Sequence, residues 1–219
     1  MSRRNAFRLP LALAAILALL PLAAPASAAV PPNGRLSFAV FRNGSQVGEH
    51  QLTFHKQDGN LAVDINTRIA VKVAFITAYR FEHEGHEVWH GDRLVRLWSK
   101  TNDDGTHHVL DAEAANAGLE IHADGHDADA PATIIPASLW NDGILQGGRI
   151  LNTLDGSRMA IQVADLGPDT VFVKGSKEAA HHYAITGDLQ RELWYDSSHV
   201  LVRIRFKAKD GSTIEYMPD

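Results

Sequence analysis

The chain contains no cysteine. Disulfides, thiolate zinc sites, iron–sulfur clusters, lipoprotein anchoring and thiol catalysis are therefore all excluded. Basic charge is also in short supply. Lys and Arg number 21 against 26 Asp and Glu, for a net charge of −5, whereas a general nucleic-acid binder needs a basic footprint. No G-x-S-x-G elbow and no phosphate-binding glycine loop occurs. No apolar run beyond residue 28 is long enough to span a bilayer as a helix. With 45% hydrophobic and 21% charged residues, the composition is that of a folded globular protein.

The first 28 residues read as a secretory signal peptide. Arg3, Arg4 and Arg8 form a positive start, Leu9 to Ala24 is an uncharged apolar run, and Ala26-Ser27-Ala28 is a small-residue cleavage site. The run is too short for a transmembrane anchor and contains Pro10 and Pro21. Arg3-Arg4 is followed by an aromatic, Phe7, one residue later than a twin-arginine signal has it. Cleavage after Ala28 would leave 191 residues with a net charge of −8, since three arginines and no acid are lost. The expectation is a periplasmic, possibly secreted, product with one domain over 29–219.

That stretch alternates apolar and polar residues between short turn signals such as Asn43-Gly44, Asp58-Gly59, Asp103-Asp104-Gly105 and Asp210-Gly211. Such a pattern predicts antiparallel hairpins. In the first, Leu36, Phe38 and Val40 share a face, and a three-residue loop would pair it with Gly48, His50, Leu52 and Phe54. In the last, Val202, Ile204 and Phe206 alternate with arginines and lysine. A three-residue loop there places Ile214 and Tyr216 on the apolar face and Glu215 beside Arg205 or Lys207. The odd positions from Leu61 to Phe81 carry no charge. As one straight strand they would span roughly 65 Å at about 3.3 Å per residue, too long for a domain of this size. The segment must coil strongly or break near Ala70, which points to a curled sheet or open barrel. The second face at Ala70–Ala78 is also apolar, and residues 126–149 are the expected cover. His126 to Ala132 reads as a loop, and Pro136 to Asp142 as a short helix start capped by Ser138.

Several short motifs follow in order: Glu87-Val88-Trp89, Gly91-Asp92-Arg93-Leu94, Asn102-Asp103-Asp104-Gly105, Pro136-Ala137-Ser138-Leu139-Trp140-Asn141, Leu151-Asn152-Thr153-Leu154-Asp155-Gly156, Tyr183-Ala184-Ile185-Thr186-Gly187 and Leu193-Trp194-Tyr195-Asp196. Together they resemble a family of exported bacterial β-proteins of unknown function. Its strand pattern is similar to the curled sheets of periplasmic lipoprotein carriers. The resemblance implies a fold and no particular activity.

The candidate chemistry is sparse. His83, His86 and His90 lie among carboxylates, but on a strand His83 and His86 point to opposite faces, and His86 and His90 stand about 13 Å apart. The favoured reading is exposed strand histidines, with Glu87 set beside Arg96 and Trp89 beside Leu94. A tight turn at Glu84-Gly85 would instead bring His83 opposite His86 in a metal site. Asp124, Asp127 and Asp129 lack the Gly-and-Glu spacing of a calcium loop. No catalytic residue, metal ligand or cofactor is assigned. The ligand-binding candidates are Trp140 and Ser138 in the mid-chain segment, the other tryptophans Trp89, Trp98 and Trp194, and Phe75 and Tyr79 on the long apolar face. The leading expectation is a non-enzymatic binder or carrier of a hydrophobic, lipid-like molecule. The alternatives are an envelope structural or interaction protein and a hydrolase with a site near Ser138 and Trp140.

Overall fold

A computed structural model describes residues 29–219 apart from 117 and 174. The expected signal peptide lies outside the described residues. The strands are β1 (Arg35–Arg42), β2 (Ser45–Gln57), β3 (Asn60–Val73), β4 (Ile76–His90), β5 (Arg93–Asp103), β6 (Thr106–Ala115), β7 (Gly118–Ala123), β8 (His126–Ala130), β9 (Ile135–Pro136), β10 (Gly148–Leu151), β11 (Arg158–Val173), β12 (Ser176–Gly187), β13 (Arg191–Asp196), β14 (Leu201–Lys207) and β15 (Thr213–Pro218). They form one 15-stranded sheet in the order β8-β7-β6-β5-β4-β3-β2-β1-β15-β14-β13-β12-β11-β10-β9. Neighbours are antiparallel hairpin partners except at two joins. The β1–β15 pair links the two ends of the chain, and the β9–β10 pair is parallel.

Only four residues connect β8 to β9, the two edges of this sheet. Five Cα steps reach at most about 19 Å, so the edges lie near each other and the sheet is curled into an open barrel. Extra residues supply part of the bend. Bulges set Val47 in β2, Ala78 in β4, Val95 in β5, Leu166 in β11 and Val202 in β14 without a partner, and each bulge bends and twists its strand. Gly48 marks a pinch, because a Cβ there would lie 2.1 Å from the Arg68 carbonyl oxygen across the β2–β3 ladder.

The hairpin registers follow the hydrophobic alternation. Leu36, Phe38 and Val40 oppose Leu52, His50 and Gly48, as expected, but through a two-residue turn corrected by the Val47 bulge. Phe206 faces Ile214, Ile204 faces Tyr216 and Arg205 faces Glu215, again as expected, through a loop longer than three residues. The long apolar segment breaks at Ala74-Phe75, beyond Ala70, with Ala74 in the left-handed region at φ 54°.

Three expectations for the middle of the chain need correction. His126–Ala130 is the edge strand β8 and not a loop; an exposed edge tolerates its alternating His, Asp and Ala. The helical segment is a 3₁₀ helix at Asp142–Gln146, and its cap is Asn141, whose Oδ1 accepts from the Gly143 N–H at 2.9 Å. Ser138 lies three residues before that cap and does not cap the helix. Finally, the mid-chain segment does not cover Ala70–Ala78, where Phe75 and Ile76 stand exposed. It turns inward instead. Trp140 and Ile144 are fully buried and join the main core with Phe54, Trp89 and Leu94. Trp140 meets Phe54 and Trp89 edge to face at 5.2 and 5.9 Å, a favoured aromatic geometry. Tyr195 donates to the Leu139 carbonyl at 2.7 Å, Ser99 to the Thr153 carbonyl at 2.5 Å, and the Leu94 N–H to the Ala132 carbonyl at 2.9 Å. The curled sheet thus contains a pinned plug.

Candidate ligand site inside the curled sheet

The inner face of β4 carries Tyr79, Phe81, His83, Gly85, Glu87 and Trp89. This single row passes through three environments. At the plug end, Glu87 is completely buried, and its Oε2 accepts from the indole N–H groups of Trp89 and Trp140, each at 2.9 Å. Burial pushes its carboxyl up, while Ser138, Trp140 and Trp89 act in the opposite direction. The Ser138 hydroxyl acts on this carboxylate, yet Glu87 Oε1 and Ser138 Oγ are both buried without a well-formed hydrogen bond. The expected pairing of Glu87 with Arg96 fails because the bulged residue Val95 shifts the register. Glu87 opposes Leu97, while Trp89 opposes Leu94 as expected.

Further along, a smaller chamber of about 140 Å³ lies between the plug and the sheet. His50 and His83 line it, with Ser138, Arg191 and Tyr216. His83 is buried rather than an exposed strand histidine. His50 Nδ1 is hydrogen-bonded to the Thr67 hydroxyl at 2.7 Å, and His83 Nδ1 to the Thr101 hydroxyl at 2.8 Å. Burial lowers His50 to about 3, with His83 adding repulsion, and lowers His83 to about 4. Both imidazoles are therefore neutral near neutral pH. A Cβ at Gly85 would sit 3.1 Å from His83 Nε2, so glycine makes room for this ring.

The larger chamber, about 650 Å³, opens at the end of the sheet that carries the β1–β2, β3–β4 and β14–β15 turns. Val40, Ile69, Val71, Phe206 and Ile214 supply apolar wall, and Tyr79 donates to Asp103 at 2.8 Å at its edge. Arg191 and Phe206 line both chambers. The Arg191 guanidinium lies over the Phe206 ring at 3.7 Å. A volume of this size and an apolar lining with a few polar groups suit a small-molecule site.

The sequence candidates separate accordingly. Ser138, Trp89 and Trp140 meet around Glu87, where both tryptophans act as core. Tyr79 lines the larger chamber and Ser138 the smaller. Trp98 is half-buried on the outer face, opposite Asp111 and His86. Trp194 is also on the outer face, in a small cluster with Val171, Ala180 and Val202. It stacks on His182 at 4.0 Å and donates to Asp169 at 2.8 Å. Phe75 is fully exposed at a hairpin tip. Several other histidines bond surface groups, such as His86 with Asp64 at 2.6 Å and His90 with Asn60 at 2.9 Å. Among the described residues, no group of three His, Asp or Glu side chains is placed to hold a metal, and none of the hydrogen bonds joins Ser138 to a histidine.

Arg191, Phe206 and Thr67 escaped the sequence reading as site residues. Parity alone could have found Arg191, which shares its strand face with the buried Leu193 and Tyr195. His50 and Tyr216 were already placed on apolar faces, where a buried polar group deserves a question.

These features define a barrel-like curled antiparallel β-protein with an internal, partly apolar chamber. The chain belongs to the family described as a domain of unknown function, DUF6134, which it matches over residues 38–219. Its fold is similar to the crystal structure of a beta-barrel-like protein of domain of unknown function DUF1849 from Brucella abortus, with a TM-score of 0.60 at 11% identity. That match covers 84% of this chain and 95% of the other. No curated protein matches the chain. No described helix is long and apolar enough to cross a membrane.

Proposed function

We propose that this protein is exported to the periplasm and there binds or carries a hydrophobic, lipid-like molecule in the larger chamber. The observation that carries the reading is the 650 Å³ open chamber with a partly apolar wall, inside a sheet whose other end is closed by the plug. Natural cores leave few voids, and an unfilled apolar space costs stability unless something occupies it. The hydrolase reading lacks support of this kind. The buried acid Glu87 is engaged by two indoles, and the buried histidines are engaged by threonines.

Titration of the purified protein with a neutral naphthylamine fluorophore, followed by displacement with alcohols of increasing chain length, tests the proposal. Saturable binding that tightens with chain length and is weakened in Ile69→Trp, which narrows the chamber, is expected. Absence of binding at every chain length contradicts it. A second reading, an envelope interaction protein, is favoured by the exposed Phe75 and Ile76 at one hairpin tip. It predicts a crosslinked partner that disappears in Phe75→Ser/Ile76→Ser.

A further inference from the structure

Arg191 differs from the arginines around it. Arg203 pairs with Glu215, Arg205 with Glu192 and Arg42 with Asp210, each at 2.5 Å. Among the described residues, Arg191 has no ion-pair partner, and its side chain makes one hydrogen bond, from Nη1 to the Gln190 carbonyl at 2.7 Å. A guanidinium offers five N–H donors. The other three arginines lie on outward or rim positions, whereas Arg191 projects into the interior, where it lines both chambers. Withdrawing a cation from water without a counter-ion is unfavourable. The Phe206 face beneath it compensates in part.

The surroundings select the sign of what completes the site. Arg42, Arg191, Lys207 and Lys209 line the larger chamber against two carboxylates, Asp103 and Asp210. Asp210 already holds Arg42, and Asp103 already accepts from Tyr79. This local excess of positive charge sits in a chain whose described part is strongly acidic. Tyr216 lines the smaller chamber beside Arg191, and among the described residues its hydroxyl has no hydrogen-bond partner. It supplies a second donor. Val40, Ile69, Val71 and Ile214 supply an apolar wall to the same chamber.

We infer that Arg191 receives the anionic head group, a carboxylate or a phosphate monoester, of a single-chain amphiphile whose tail lies in the larger chamber. This assignment rests on the ligand-binding reading above. The planar guanidinium matches either oxyanion in a two-bond geometry. The tail then lies along the apolar wall of Val40, Ile69, Val71 and Ile214.

The test compares four probes of one chain length by fluorophore displacement at pH 7.5: dodecanoate, dodecyl phosphate, dodecanol and dodecyltrimethylammonium. At least one of the two anions is expected to bind about tenfold or more tighter than dodecanol, with the cation weakest. A preference for one anion over the other identifies the head group. In Arg191→Gln the preference for the anions over dodecanol is expected to vanish. Arg191→Lys, which keeps the charge without the fork, is expected to retain part of it. Equal binding of the anions and dodecanol by the parent protein overturns the inference and leaves the ligand-binding reading standing. So does an anion preference that survives in Arg191→Gln. Failure of all four probes overturns the ligand-binding reading itself.

Discussion

The two ends of the interior are built from the same strands and differ in what fills them. At the plug end, Trp140, Trp89, Phe54 and Ile144 close the space, and the buried acid Glu87 bonds two indoles. At the open end, Val40, Ile69, Val71 and Ile214 face a chamber, and the cation Arg191 lacks an acid among the described residues. The plug end keeps its polar groups because the protein itself answers them. The open end leaves both its apolar wall and its charge for something else to answer. A sheet that alternates faithfully along its inner face therefore makes a solid core or a binding chamber, depending on whether a chain segment folds back over it.

Four perturbations break this comparison at different points. Trp140→Ala removes the largest side chain of the plug and should cost about 3–5 kcal/mol in chemical denaturation. Glu87→Ala leaves two buried indole N–H groups without an acceptor, for a loss of about 2–3 kcal/mol. Glu87→Gln keeps one acceptor and should be far milder.

The pH dependence comes next. His50 and His83 are held neutral, at about 3 and about 4, below an unfolded value near 6.5. Between those limits the unfolded chain binds more protons than the native one, so stability rises with pH and is fully present above 6.5. As pH falls below 6.5 it declines by up to about 1.4 kcal/mol per unit for each histidine. Glu87 has the opposite sign. Its folded value is raised by burial, so its contribution favours folding on the acid side and weakens as pH rises through that raised value. Denaturation midpoints measured from pH 7.5 to 5 should fall steeply in the parent protein and much less in His50→Asn/His83→Asn. The smallest effect belongs to the chamber wall. Ile69→Ala should cost less than about 1 kcal/mol without ligand, because that side chain already faces open space. The same change should weaken ligand binding several-fold in the displacement titration.

Parity explains what the sequence disclosed. Phe38 opposite His50, Ile204 opposite Tyr216 and Trp89 opposite Leu94 all follow from keeping apolar residues on one face. Bulges explain much of what it concealed. One unpaired residue, Val95, set Leu97 opposite Glu87 in place of the expected Arg96. No local signal marks such a residue in advance, because the bulge is a property of two strands together. That the mid-chain segment packs against the curled sheet was legible, but not that it turns inward. Pro136 to Gln146 has a turn-rich composition, and only the curl of a distant sheet gives Trp140 a place to be buried. Candidates chosen for size, such as Trp98 and Trp194, went to the outer face. Tyr79, chosen for its position on the apolar row, does line the chamber.

The account depends on the larger chamber being a place that something occupies. Native mass spectrometry of the protein, purified without detergent and then mixed with single-chain amphiphiles of twelve to eighteen carbons, tests this directly. The expected result is one amphiphile bound per chain in the parent protein and a smaller bound fraction in Ile69→Trp, which narrows the chamber. A spectrum of bare protein in both, at every chain length, would contradict it.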